Sequence, residues 1–420
     1  MKIKKLSLTG MRAFTQAEFN FLPGMNLLVG VNGVGKTTVL DALRICLSRV
    51  LPDINAYPSQ KQAFEMDDIS IGAQTLTVSC DFEIESQSFN LLQVKQRELI
   101  LENKPGSPRE SVIELDDAEK VIPSIKELFS KSKSDNPRHL GLFFSTKRSI
   151  VTDKAVSGHA TAGGLAAAFS ESLSSNRDFN LRLLADWFKV QETLGEERPI
   201  GLKHISVLKN AVEQFLPGFN NLRVERIEEK SRFVIDKNGT SLNLYQLSDG
   251  ERGVLSMVLD IARRLSQANP TLPNPLADGT AIVLIDELDL HLHPKWQRTI
   301  VENLTRTFPN CQFIASTHSP QIIPSVDPER IQLIRNGEII HPDRTKGMDS
   351  NWILKFLMES EDRPFESTTA IEKVELLIKK GKFKEARTII AECKNENRDL
   401  DEWSMFEARM SRLEVFSKPI

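Results

Sequence analysis

The chain has 420 residues, 40% of them hydrophobic and 26% charged, with a formal net charge of -3. That is an ordinary globular composition, long enough for two or three domains or for one large domain with insertions. It gives no general electrostatic drive toward nucleic acid, so DNA contact would need a local basic patch, and it holds no apolar run of about 18 residues able to cross a membrane.

Met1-Lys2-Ile3-Lys4-Lys5-Leu6-Ser7-Leu8 is basic but has no long apolar region behind it, so it reads as a first strand rather than a signal peptide. Cys46, Cys80, Cys311 and Cys393 lie far apart without a CxxC pair, which argues against a structural zinc site and suits a reducing, cytoplasmic setting.

After a Pro23-Gly24 turn, the apolar run Met25 to Val29 predicts a buried strand, and Gly30-Val31-Asn32-Gly33-Val34-Gly35-Lys36-Thr37 follows at once. This run fits the GxxxxGK[ST] phosphate loop at every fixed position, and Thr38 to Arg44 continues with helical spacing. A glycine-rich turn with a chance lysine would satisfy the spacing alone; the strand before and helix after favour a nucleotide site. Backbone N–H groups and the helix N-terminus would cradle phosphate oxygens. The expected nucleotide contacts are Gly30, Asn32, Gly33, Val34, Gly35, Lys36, Thr37 and Thr38. Lys36 would reach the β- and γ-phosphates of ATP, while the Thr37 hydroxyl would ligate Mg²⁺.

Leu76, Val78, Cys80, Phe82 and Ile84 alternate with mostly polar neighbours, predicting a half-buried strand in an antiparallel flank. Leu142 to Phe144, before Ser145-Thr146-Lys147-Arg148, reads as a strand leading into a helical lobe at about residues 155–218. Within it Ala160 to Ser175 is rich in Ala, Gly and Ser, and Leu181, Leu183, Leu184, Trp187 and Phe188 follow with helical spacing. Leu247-Ser248-Asp249-Gly250-Glu251 precedes a helix on which Val254, Met257, Val258, Ile261 and Leu265 keep a 3.6-residue period. Read alone, this is a plain N-cap and turn; it also offers a hydroxyl and free N–H groups to an anion.

Thr280 to Ile285 is a continuous apolar run, as expected of a central parallel strand, and it ends in Asp286-Glu287. Paired with the phosphate loop, Asp286 suits a Walker B aspartate holding Mg²⁺, and Glu287 a general base that polarises the attacking water. Another short strand, Cys311 to Ser316, leads to Thr317 and His318, a histidine placed to sense the γ-phosphate or simply structural.

Asn336-Gly337 between two short apolar runs predicts a hairpin that closes the domain near residue 345. Residues 346–420 carry three amphipathic helical patterns: Ile371, Val374, Leu377 and Ile378 with Gly381 as C-cap; Phe383, Ala386, Ile389, Ile390 and Cys393; and Trp403, Phe406, Met410 and Leu413. Their stripes must be buried on the preceding domain or on a partner. The lysine run 379, 380, 382 and 384 reads as a solvated face, with contact to nucleic acid as the alternative.

In order and form these segments resemble ABC-type ATPase heads, most closely those of the RecF, SMC and OLD-like branch, over roughly residues 1–345. The resemblance implies an α/β P-loop NTPase fold of ABC type, with a helical lobe insertion and a short all-helical tail. It further implies a homodimer, or multiples of dimers, that sandwiches ATP. Ser248, Gly250 and Glu251 would then belong to the signature completing the partner's site, and His318 would be the switch histidine. Arg12, in Thr9-Gly10-Met11-Arg12-Ala13-Phe14, matches the family's first-strand motif, where an arginine approaches the nucleotide; a solvated loop charge is an equal reading. No glutamine stands at the expected Q-loop position, and His293 sits where many transporters carry a D-loop aspartate. His291 and His293 could suggest a metal pair, but a subunit-facing loop is preferred because no third ligand is apparent.

The lobe is too short for long coiled-coil arms, and the tail is too short for a Toprim nuclease. The LHLHP segment and compact head resemble the stand-alone PtuA-type ATPases of Septu and retron antiphage systems, which work beside a separate HNH nuclease. An ATP-dependent switch controlling such a nuclease is the leading expectation. The alternatives are a RecF-like repair clamp acting on DNA junctions and a transporter ATPase, the last disfavoured by the missing glutamine. No membrane partner is expected, and direct DNA binding is left open.

Overall fold

The structure is a computed structural model describing residues 1–55, 61–100, 109–131, 138–149, 151–152, 164–177, 179–197, 199–358, 365–395 and 401–416. Residues 153–163, where the expected lobe begins, and the start of its Ala/Gly/Ser-rich stretch lie outside these. The chain divides into two compact units, Met1–Asp349 and Ser350–Ile420.

The first unit is built on two sheets with a helix in the core between them. One sheet has six strands in the order Glu338–Ile340, Ile331–Arg335, Met25–Val29, Gln312–Thr317, Thr280–Ile285 and His139–Phe144. The last five run parallel, and only the edge pair is antiparallel. The central strands Met25–Val29 and Gln312–Thr317 are buried at every residue, which explains why their sequences are unbroken apolar or small-polar runs instead of alternating ones.

The second sheet is antiparallel, in the order Phe14–Asn20, Lys2–Met11, Thr75–Ile84, Gln87–Ile100 and Arg109–Asp116. Thr75–Ile84 alternates buried residues with more exposed ones, as its sequence predicts. The helix Lys36–Ile54 is buried along most of its length. Its Leu40 and Leu43 share one core with Leu6, Phe14, Leu76 and Phe82 of this sheet and with Ile282 and Ile314 of the parallel one. The phosphate-loop helix is therefore held on both sides.

The lobe region contributes helices Leu181–Gly195 and Pro199–Phe215, on which Leu181, Leu184, Trp187 and Phe188 are buried. A three-stranded antiparallel sheet, Phe219–Ile227, Lys230–Lys237 and Thr240–Asn243, follows before the helix Asp249–Ala268; the sequence reading assigned nothing to it. The predicted hairpin forms at Asn336-Gly337, both with positive φ (51° and 81°), as a two-residue turn matched to strand twist requires.

The second unit holds helices Phe365–Lys379, Phe383–Asn395 and Asp401–Phe416. Val374, Ile378, Ala386, Ile390, Cys393, Trp403, Phe406 and Met410 form one core. This corrects the expectation that the stripes need the first domain or a partner: apart from the exposed Leu413 they pack on one another.

Candidate active site

Three parallel strands end side by side, and their C-terminal ends carry the site. Met25–Val29 runs into the phosphate loop, Thr280–Ile285 into Asp286-Glu287, and Gln312–Thr317 into His318. This is where an open parallel sheet collects ligand-binding loops.

The loop turns into its helix at Gly35, whose φ of 105° is left-handed. A Cβ there would lie 2.5 Å from Phe14 Cε2, so the turn and the ring beneath it both demand glycine. Lys36 Nζ donates to the carbonyls of Gly30 and Val31, each at 2.9 Å, which lays the charge across the loop. Burial lowers the Lys36 pKa to about 8, against the opposing pull of Asp286, Glu287 and Asp289. An arriving phosphate would raise it again, because an anion beside an ammonium favours the protonated form.

Thr37 Oγ1 donates to the Asp286 carboxylate, at 3.1 Å to Oδ2 and 3.3 Å to Oδ1. A hydroxyl and a carboxylate, both hard oxygen donors and already adjacent, would suit a Mg²⁺ ion. Behind them the fully buried Ser316 donates to Asp286 Oδ1 at 2.7 Å and accepts from the Glu287 N–H at 2.7 Å. Ser316 thus fixes both the candidate metal ligand Asp286 and the candidate general base Glu287 with one hydroxyl.

Glu287 has a φ of 49°, a conformation that costs a non-glycine residue about 1–3 kcal/mol and persists only where its surroundings impose it. The restraints are visible. Leu288 N–H donates to Ser316 O at 2.8 Å, and Leu290 N–H to Glu287 O at 2.9 Å. The buried Arg148 guanidinium donates to the carbonyls of both Asp286 and Glu287 and, at 3.2 Å, to Ser145 O. Burial lowers the Arg148 pKa to about 10, with Asp286, Asp289 and Glu287 opposing; it remains a cation at neutral pH.

Asp289 anchors the next strand end. Its Oδ1 accepts from Thr317 Oγ1 at 2.6 Å and from the His318 N–H at 3.2 Å. Burial and then the Lys36 charge lower the His318 pKa against the pull of Asp289, Glu287 and Asp286, which favours the neutral imidazole.

Arg12 has a φ of 48° and forms ion pairs with Asp41 and Asp68, both at 2.8 Å. Burial opposes its charge, but Asp41 and then Asp68 outweigh this and raise its pKa. Asp41 lies one turn beyond Thr37 on the phosphate-loop helix, so Arg12 is tied to that helix while its side chain stays 37% exposed.

Ser248 caps the helix Asp249–Ala268 in a capping box with Glu251. Glu251 also pairs with Lys237 at 2.6 Å, so its carboxylate is engaged within the chain. A Cβ on Gly250 would lie 2.3 Å from His291 O: the signature backbone rests directly on the loop that follows Glu287. His293 Nδ1 accepts from the Lys295 N–H at 3.2 Å and caps the helix Pro294–Gln297, while His291 takes a left-handed φ of 58°.

Arg148, Ser316 and Asp289 are the site residues that sequence reasoning did not single out. The only signal for Arg148 is a basic pair, Lys147-Arg148, just past a buried strand end.

A phosphate loop, a Walker B carboxylate and a strand-end histidine on adjacent parallel strands define an ATPase of the ABC type. Residues 25–323 match the family described as "AAA domain, putative AbiEii toxin, Type IV TA system", and the chain belongs to it. It is 30% identical to the "Retron Ec83 probable ATPase" of Escherichia coli, over 83% of this chain and 74% of that one. It is also 30% identical to the "Retron Vc95 probable ATPase" of Vibrio cholerae serotype O1 biovar El Tor, over 91% of this chain and 84% of that one. The "Septu protein PtuA" of Bacillus thuringiensis is 20% identical over 76% of this chain and 72% of its own. Among the described residues no helix is long and apolar enough to cross a membrane.

Proposed function

We propose that this ATPase is the switch subunit of an antiphage defence complex, in which two copies sandwich ATP·Mg²⁺ and the closed pair controls a separate HNH-type nuclease. Residues 1–345 serve as the ATPase head, and the helical tail 346–420 as the docking region for the nuclease. Similarity to retron ATPases and to a Septu protein supports the setting.

The observation that carries the switch is the contact of Gly250 with the His291 backbone. A γ-phosphate bound by the phosphate loop of one copy and the Ser248–Gly250 segment of the other would press on the loop that positions Glu287. ATP then stabilises the closed pair because only closure offers it both surfaces, and a ligand shifts an equilibrium only by such differential affinity. Hydrolysis removes the γ-phosphate and with it the preference. Asp286 and Thr37 hold Mg²⁺, Lys36 the phosphates, Glu287 the attacking water, and His318 senses the γ-phosphate.

The test is co-purification of tagged Glu287→Gln protein expressed with its native gene neighbours, identifying bound protein and nucleic acid. A stoichiometric HNH-type nuclease, lost on deleting residues 350–420, supports the proposal. Recovery of DNA ends or repair factors without a nuclease would favour a RecF-like clamp acting on DNA junctions.

A further inference from the structure

The carbonyls of Asp286 and Glu287 point to a role for Arg148 that the phosphate loop, Walker B and signature do not supply. Both acceptors belong to the residues that bear the site's carboxylates. The Asp286 carboxylate meets Thr37 of the phosphate loop while one guanidinium takes both carbonyls. The two carbonyls are met by separate nitrogens of one rigid plane, Nη1 for Asp286 and Nη2 for Glu287, a fixed spacing that the single nitrogen of an ammonium does not reproduce. Ser316 fixes the Glu287 N–H from the neighbouring strand, so the Glu287 peptide is held on its N–H side by Ser316 and on its carbonyl side by Arg148. That double hold explains how a glutamate keeps a φ of 49°.

Arg148 also reaches the signature. Together with Gly250, Gly253 and Met257 of the signature helix and Leu290 and His291 of the loop after Glu287, it lines one small cavity. The arginine comes from the short helical turn Thr146–Ser149, directly after the strand His139–Phe144. There the sequence lacks the glutamine expected of a Q-loop. One buried side chain thus holds the Glu287 backbone and lines the cavity that the signature helix also lines.

We propose that Arg148 is a positioning residue for ATP hydrolysis: it sets the Glu287 carboxylate through the two carbonyls and ties that setting to the position of the signature helix. This rests on Glu287 being the general base. Arg148 would act in kcat and leave ground-state nucleotide binding, which belongs to Lys36 and the loop, nearly untouched.

The experiment compares Arg148→Lys, Arg148→Ala, Glu287→Gln and the Arg148→Lys/Glu287→Gln double variant in the full chain. It measures kcat, KM, ATP affinity by titration, and melting temperature. Arg148→Lys, which keeps the charge and loses the fork, is expected to lower kcat at least tenfold, with KM and ATP affinity within about threefold. In single-turnover assays the substitution is expected to cost nothing further once Glu287 is glutamine, since its effect passes through that residue. Guanidinium at millimolar concentration is expected to restore part of the kcat of Arg148→Ala. If that variant does not fold, the lysine variant carries the test. A wild-type kcat in Arg148→Lys overturns the proposal, as does a loss of ATP affinity matching the loss of kcat, or a full further loss in the double variant. A wild-type rate in Glu287→Gln itself would instead overturn the assignment of the base.

Discussion

Ser316→Ala tests whether one buried hydroxyl organises both carboxylates. Ser316 is 0% exposed, and its Oγ makes two 2.7 Å bonds, to Asp286 Oδ1 and from the Glu287 N–H. Alanine fits the space, so no sizeable cavity opens. What changes is hydrogen bonding: a buried N–H loses its acceptor, at about 1–3 kcal/mol, and a carboxylate oxygen loses a donor, at about 1.5–3 kcal/mol. Thr37 still donates to the same carboxylate, so part of the second cost is recovered and the expected total is about 2–4 kcal/mol. The catalytic effect should exceed what stability alone implies. Glu287 holds its left-handed backbone only under restraint, and a displacement of about 1 Å at a reacting group can cost about a hundredfold in rate. The assay pairs thermal unfolding with steady-state ATP hydrolysis and with nucleotide affinity measured in chelator. The melting temperature should fall by several degrees and kcat by ten- to a hundredfold, while metal-free affinity holds. A variant that melts and turns over like wild type would refute the reasoning.

Three other expectations follow from the same geometry. Lys36→Ala should abolish nucleotide binding in titration calorimetry, since no other described side chain lays an ammonium across the phosphate loop. Gly250→Ala should lower the melting temperature and kcat together, because its Cβ would stand 2.3 Å from His291 O and such overpacking costs about 1–3 kcal/mol. Asp260 is ion-paired with Arg177, Arg263 and Arg264 at 2.9–3.0 Å. Burial alone would raise its carboxyl, but the three arginines outweigh this and hold it well below the usual carboxylate range. Asp260→Asn leaves three cations uncompensated and should cost about 3–5 kcal/mol. A depressed carboxyl stabilises fully above its unfolded value and progressively less as pH falls toward its folded one. The gap in melting temperature between wild type and Asp260→Asn should therefore be full at pH 7 and narrow only below about pH 4.

The parts of the site legible in the sequence are those whose chemistry is contiguous. Gly30 to Thr37 needs only its own spacing, and Asp286-Glu287 is announced by the buried run before it. Arg148 could not be found this way, because its carbonyl partners lie 138 and 139 residues downstream and any basic residue after a strand reads as a solvated charge. Ser316 looks like one more small residue on a fully buried strand until the neighbouring strand places Asp286 beside it. Arg12 illustrates the same limit: its partners Asp41 and Asp68 lie 29 and 56 residues downstream, beyond the reach of a local pattern. The tail shows the converse. Its three stripes were readable from period alone, but that they cover one another depends on how the helices turn back, which spacing does not encode.

The most direct test of the sandwich switch is the mass of Glu287→Gln protein in solution, by light scattering, with ATP·Mg²⁺ and with ADP·Mg²⁺. The account predicts that ATP doubles the mass relative to ADP, and that adding Ser248→Arg, which blocks the signature, returns it to the ADP value. A mass that is the same with either nucleotide, or a doubled mass indifferent to Ser248→Arg, would contradict it.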